Sequence, residues 1–234
     1  MKVKDSLRRI LQVVFPDIHF ISLLKWELKL LLVHSYAKVS PFERAKIRHL
    51  KKRHDLKLNV GNGPFRHNEW VNIDCVLSSY RDCLAFDLRR QWPLASESAK
   101  YIFSEHVFEH FNYPDDIQHI LFECSRVLQK QGVLRVIVPD AERYLKAYCQ
   151  LDVEFLRNAN SDAQFRMEAV NQVFRENGFH KYAYDYETMK HLLERAGFNE
   201  VRRSEFRNSA YDELNVDLDE PQRRLESLYV EAVR

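Results

Sequence analysis

Residues able to do chemistry crowd into one run, Ser104-Glu105-His106-Val107-Phe108-Glu109-His110. Imidazole titrates near neutral pH, so His106 and His110 are candidates for taking a proton from an acceptor hydroxyl, with Glu105 and Glu109 beside them. If the run is helical, the two histidines lie one turn apart on a shared face. His180, in Gly178-Phe179-His180-Lys181, is a further candidate, while a capping or purely structural hydrogen bond is the competing role for each. The same residues spell H-x-x-E-H, the inverted zinc-protease signature, so a zinc-dependent hydrolase built on His106, Glu109 and His110 is the alternative from another class. Against it, the run is short, ends at Pro114 and offers no obvious third ligand on a following helix.

A second group sits earlier in the chain. Leu56–Val60 is an apolar-alternating run that stops at Gly61-Asn62-Gly63, and Trp70–Ile73 is another that stops at Asp74. Glycine admits positive φ and close approach of the backbone to a ligand, and an acid at the next strand end can accept both hydroxyls of a ribose. A third short run, Cys83–Phe86, ends at Asp87-Leu88, and a fourth, Lys100–Ser104, leads into the histidines. With only five glycines in 234 residues, two of them in one turn are informative.

The elements that position these groups follow from periodicity. After Pro114, Ile117, Ile120, Leu121, Cys124, Val127 and Leu128 form one helical stripe, with Arg126 and Lys130 in the expected last turn and Gly132 closing it. Val133–Val138 reads as a fifth strand, residues 142–177 as polar helices, and Asp185 as the cap of a helix carrying Met189, Leu192, Leu193 and Ala196. Glu200–Phe206 and Ser227–Ala232 read as closing strands around an acidic, loop-like segment. Alternating strands and helices argue for an α/β domain over residues 55–234, with ligands outside the carboxyl ends of a parallel sheet.

From about Leu56 to Asp140, and more weakly over Tyr186–Gly197 and Glu226–Ala232, the chain resembles the class I S-adenosylmethionine-dependent methyltransferases, specifically the small type-11-like group. The resemblance implies a Rossmann-like, mostly parallel seven-stranded sheet with helices on both faces and an antiparallel last strand. It implies S-adenosyl-L-methionine as cofactor, no metal, and methyl transfer to an acceptor hydroxyl. The acceptor would be a small molecule, a sugar or a lipid-linked glycan, since relatives of this kind often accompany bacterial surface-glycan synthesis. By the same likeness Gly61, Asn62 and Gly63 pass beside methionine and ribose, Asp74 takes the ribose hydroxyls, and Asp87 with the Leu88 amide meets the adenine edge. Ser104 and Glu105 lie near the methionine amino group or the acceptor. Asn59 holds the cofactor-side position where the family has an acid, and Phe65 replaces its third glycine. A scaffold of this fold without turnover is a third reading. Nicotinamide binding is disfavoured, because Asp74 follows Gly61 by 13 residues rather than the roughly 20 of the dinucleotide fingerprint.

Charge divides the chain. Residues 1–54 hold 13 Lys/Arg against 4 Asp/Glu, and the remainder is net acidic. This basic, mainly helical extension either covers the body or makes peripheral contact with anionic lipid through residues 1–50. No aromatic-interleaved basic groove speaks for nucleic acid. The four cysteines form no C-x-x-C pair and nothing resembles a secretory leader, so the expected location is cytoplasmic, including the inner face of the membrane. Oligomeric state is left open.

Overall fold

A computed structural model describes residues 18–78, 80, 82–160 and 162–234; the start of the basic extension, residues 1–17, lies outside them. The strands are β1 (Leu56–Val60), β2 (Val71–Asp74), β3 (Cys83–Ala85), β4 (Ala99–Glu105), β5 (Leu128–Pro139), β6 (Glu200–Ser204) and β7 (Ser227–Val233). They form one sheet in the order β3-β2-β1-β4-β5-β7-β6. β1 to β5 pair in parallel, and β7 is antiparallel to both β5 and β6. Strand order therefore reverses direction between β1 and β4, the switch point outside whose carboxyl ends open sheets of this kind bind ligands.

One face of the sheet is closed as the periodicity requires. In α3 (Asp115–Val127) the residues Ile117, Ile120, Leu121, Cys124 and Val127 have no accessible surface. In α7 (Tyr186–Arg195) the same is true of Met189, Leu192 and Leu193. Each such side chain contributes about 1.5–3 kcal/mol on burial, so these stripes hold both helices against the sheet. The Asp185 carboxylate caps α7 by accepting the Thr188 N–H at 2.8 Å. α3 ends earlier than expected. Leu128 is already extended, and Lys130 and Gly132 sit in a register break between the pairs Ala99↔Leu128 and Tyr101↔Val133. Pairing with the carboxyl terminus replaces a last helical turn: Gln131 N–H donates to the Arg234 carbonyl and Arg234 N–H to that of Gly132, both at 3.0 Å.

The other face buries Trp70, Tyr101, Phe103, Val133, Ile137 and Tyr229 beneath Leu214, Phe206, Tyr211 and Val216. The acidic segment expected as loop supplies this cover, with a 3₁₀ turn at Asp212–Leu214, before α8 (Pro221–Glu226). Its Asp217 reaches the centre of the sheet, where Arg135 of β5 has no solvent exposure. The Arg135 guanidinium donates to Asp217 Oδ1 at 2.8 Å, Glu231 Oε1 at 2.9 Å, Ser204 Oγ at 3.0 Å and the Glu205 carbonyl at 2.7 Å. The 142–177 region folds as α4 (Ala141–Cys149), α5 (Val153–Ala159) and α6 (Arg166–Arg175) around Tyr144, Phe155 and Val170.

Ahead of the sheet come α1 (Ile18–Val39) and α2 (Pro41–Leu50), with Ser40 Oγ accepting the Glu43 N–H at 3.4 Å as the expected cap. Leu24, Leu28, Leu31 and Leu32 of α1 are exposed, while Leu30 and Val33 are buried. Polar links do much of the attachment. Lys46 is buried and donates to Glu43, to the Ser78 carbonyl and to the Cys83 carbonyl at 2.7–3.1 Å. Among the described residues no helix is long and apolar enough to cross a membrane.

Candidate active site

Only ten residues join β1 to β2, fewer than a parallel crossover normally spans. Two buried amides make this possible. Asn59 Nδ2 donates to the Phe65 carbonyl and to Asn72 Oδ1, both at 3.0 Å, and Asn72 Oδ1 also accepts the His67 N–H at 2.9 Å. Asn59 is thus placed under the loop it organises, with both amide hydrogens used there. The glycine turn hooks back onto β2, as Gly61 N–H donates to the Ile73 carbonyl at 2.8 Å.

The two glycines have different reasons to be glycine. Gly61, at φ +71, faces Val107, and a Cβ built on it would lie 2.4 Å from Val107 Cγ2. Gly63, at φ +49, has nothing among the described residues within 4 Å of such a Cβ, so the space beside its backbone is open. Asn62 donates its side-chain amide to the Gly63 carbonyl at 2.7 Å and its N–H to the Ile73 carbonyl at 3.2 Å. Replacing Gly61 with alanine is expected to destabilise the fold by about 1–3 kcal/mol, through overpacking added to left-handed backbone strain. Urea denaturation checks this, and Gly61→Ala combined with Val107→Ala should recover part of the loss; no recovery would mean that Val107 is not the obstacle.

Asp74 ends β2 half-buried, accepting the Gly63 N–H on Oδ2 at 2.8 Å and the Cys75 N–H on Oδ1 at 2.6 Å. Burial and the neighbouring Asp74 charge push the Cys75 thiol up to about 12. Asp87 follows β3 and is buried. Burial would raise its carboxyl, but hydrogen bonds and charge from Arg89 outweigh that and hold it below the usual range. Arg89 grips both Asp87 oxygens at 2.9–3.2 Å and, at 2.8 Å, both oxygens of Glu27 on α1. The basic extension therefore closes over the β3 end, where Leu88 is also buried. Ser104, near the end of β4, is buried with its Oγ unpartnered.

The histidine run departs from the helical expectation. His106 takes φ +52, and only Phe108–His110 form a 3₁₀ turn, so His106 and His110 do not share an α-helical face. Val107 packs against Gly61, and the His106 N–H continues the β4–β5 ladder by donating to the Ile137 carbonyl at 2.8 Å. His106 Nε2 lies 2.8 Å from Ser227 Oγ and its Nδ1 3.7 Å from Glu109 Oε1. Burial drives its pKa down to about 3. Glu105 Oε2 accepts the Leu218 N–H at 3.1 Å, and burial raises its carboxyl. Glu109 is fully enclosed, neither oxygen has a partner, and burial lifts it to about 8. His180 reaches the same place from 70 residues away: its ring centroid is 5.0 Å from that of His110.

Two groups of candidates thus emerge. Gly61, Gly63, Asp74 and Ser104 gather at the switch point, with Asp87 capped by Arg89 at its edge. His106, Glu109, His110 and His180 line a cavity of about 140 Å³, together with Glu176 and Arg223. A larger groove of about 590 Å³ runs beside the β5 end, lined by Asp140, Arg143, Lys146, Asn158 and Arg203. Spacing alone did not join His180 or Glu176 to the run; the only signal was the glycine in the Gly178–Lys181 segment, which lets the loop turn back.

The strand order, with its antiparallel β7, defines a Rossmann-like fold of the methyltransferase type. Residues 77–136, from the β2–β3 loop into β5, match the family model described as a methyltransferase domain. None of the curated proteins matches the sequence. Among solved structures, a SAM-dependent methyltransferase from Archaeoglobus fulgidus is similar at 15% identity, covering 93% of this chain and 100% of that one with a TM-score of 0.49. One from Thermotoga maritima is similar at 18% identity, 92% and 97% coverage and a TM-score of 0.46. An S-adenosylmethionine-dependent methyltransferase from Mesorhizobium loti is similar at 14% identity, 83% and 99% coverage and a TM-score of 0.46.

Proposed function

We propose that the protein is an S-adenosylmethionine-dependent methyltransferase that acts on an acceptor hydroxyl, with a sugar or lipid-linked glycan as the first acceptor class to test. The observation that carries this reading is the meeting, at one switch point, of an open glycine turn, a half-buried acid and an unpartnered buried hydroxyl. The match over residues 77–136 supports the same reading. The cofactor, when bound, supplies a methyl group already activated on a sulfonium, so alignment of the acceptor provides much of the rate.

The chain's own residues then have separable tasks. Gly63 leaves its backbone clear for close approach, and Asp74 keeps a free lone pair on each oxygen for the two hydroxyls of a ribose. Ser104 Oγ offers a donor and acceptor at the β4 end. Asp87 fits the adenine edge less well, because Arg89 occupies its carboxylate. Transfer forms an O–C bond as the S–C bond breaks, with that electron pair staying on sulfur, and it releases the hydroxyl proton. His110, whose ring is partly exposed in the cavity next to the β4 end, can take that proton, while burial and the Ser227 hydroxyl hold His106 neutral. The polar lining of the groove along α4 supports a hydroxyl-rich acceptor.

The hydrolase reading requires two histidines on one α-helical face, and the 3₁₀ geometry removes that arrangement. Calorimetric titration of the full chain with S-adenosylmethionine, followed by incubation of lysate glycans with a deuterated methyl donor and mass spectrometry, tests the proposal. Single-site heat and deuteromethylated hydroxyls are expected. Absence of heat would leave a scaffold, and label appearing only on nitrogen would overturn the hydroxyl acceptor.

A further inference from the structure

Glu109, His110 and His180 each point a ligand-type atom into the cavity beside β4, and these atoms all lie within 4.8 Å of one another. We propose that the three form a binding site for one first-row divalent cation of the Zn²⁺ type.

Imidazole orientation is the first support. His110 Nδ1 lies 3.3 Å from the Phe179 carbonyl and His180 Nδ1 2.7 Å from the Val173 carbonyl. A carbonyl only accepts, so both rings carry their proton on Nδ1 and turn the Nε2 lone pair toward the cavity. Such a hydrogen bond on the second ring nitrogen is how metal-binding histidines are held in tautomer and angle. The carboxylates are the second support. Glu109 is buried with two unpartnered oxygens, a costly state that a cation would relieve. Glu176 Oε2 lies 3.1 Å from His180 Nε2 in the same cavity, where a cation would take the place of the proton that otherwise links the two. The third is construction. Lys181 N–H and Tyr182 N–H both donate to the Glu109 carbonyl, at 2.7 and 3.3 Å, and this fixes the His180 loop to the Glu109 turn. Two imidazoles and a carboxylate suit Zn²⁺ and its neighbours, at ligand distances of about 2.0–2.2 Å, within reach after about 1 Å of side-chain movement.

Three protein ligands leave at least one coordination position open to the cavity. On the methyltransferase reading, on which this step rests, that position takes the acceptor oxygen. The cation would lower the pKa of the hydroxyl, whose proton passes to solvent, and would replace a free His110 as the means of deprotonation. No electron transfer is involved.

The test uses the metal-depleted full chain titrated with Zn²⁺ alone, and with Co²⁺ followed by visible absorption, without cofactor or acceptor. A single site is expected, and Glu109→Gln and His180→Gln should each weaken it by more than about tenfold. Glu109→Gln keeps the side chain's shape, so it should leave the melting temperature of the metal-free protein unchanged. That pairing of weaker metal binding with an intact fold is not produced by general misfolding. Absence of Zn²⁺ binding, affinity unchanged in both variants, or binding that disappears on Cys149→Ser instead would overturn the site. Because the readout needs no methyl donor, its outcome is independent of whether the protein proves to be a methyltransferase.

Discussion

Replacing Asp74 with alanine is expected to weaken S-adenosylmethionine binding by about 10²-fold or more. The carboxylate accepts one backbone N–H on each oxygen, from Gly63 and Cys75, and retains a second lone pair on each. Two hydroxyls donating there make two charge-assisted bonds of roughly 1.5–3 kcal/mol each, and the lower sum already corresponds to about two decades in Kd. The alanine variant also releases the Gly63 N–H, so the open turn loses its anchor. Asp87→Ala provides the contrast. Its carboxylate is committed to Arg89, which in turn holds Glu27 of α1. That variant is expected to change the Kd by less than about tenfold while loosening α1, detectable as faster proteolysis near residue 27. Calorimetry on both variants, with melting curves to establish folding, decides the matter. Equal losses would show that Arg89 swings away and that Asp87 reads the ligand after all.

The second large effect concerns stability. Arg135→Met is expected to cost about 3–5 kcal/mol, because it leaves Asp217 buried without its guanidinium and Glu231 buried with only the half-exposed Arg202 beside it. Both are about 1% exposed, so water cannot replace the lost guanidinium. Replacing all three with apolar residues of similar volume should return much of the loss, since a buried ion network is itself only weakly stabilising. Urea midpoints for Arg135→Met and for the triple variant measure both claims. A single-variant loss under about 1 kcal/mol would mean the segment around Asp217 peels away and hydrates its own carboxylate.

These two sites differ in how far they could be read in advance. Asp74 was visible because it ends a short apolar run after a two-glycine turn, a pattern confined to a dozen or so residues. Arg135 was not: a single arginine inside Val133–Val138 has no local mark of its partners, which lie 82 and 96 residues away. The histidine run shows the opposite failure. Its i, i+4 spacing would put both imidazoles on one face if the run were helical, yet His106 takes positive φ and only a 3₁₀ turn follows. Charge and helicity left open whether α1 covers the body or meets anionic lipid. The structure attaches that helix partly through Glu27 and Arg89, leaving Leu24, Leu28, Leu31 and Leu32 outside.

By itself, then, the amino-acid order determined where strands and helices run, which helical faces are apolar, and which acids and glycines fall at strand ends. Those follow from backbone periods of 2 and 3.6 and from turn chemistry, which act over a few residues. Tertiary structure alone decided that Asp217 neutralises Arg135, that α1 closes over Asp87, and that His180 joins Glu109 and His110. Each of these brings together groups separated by 60 residues or more, and only closure of the whole sheet with its covering loops sets such distances.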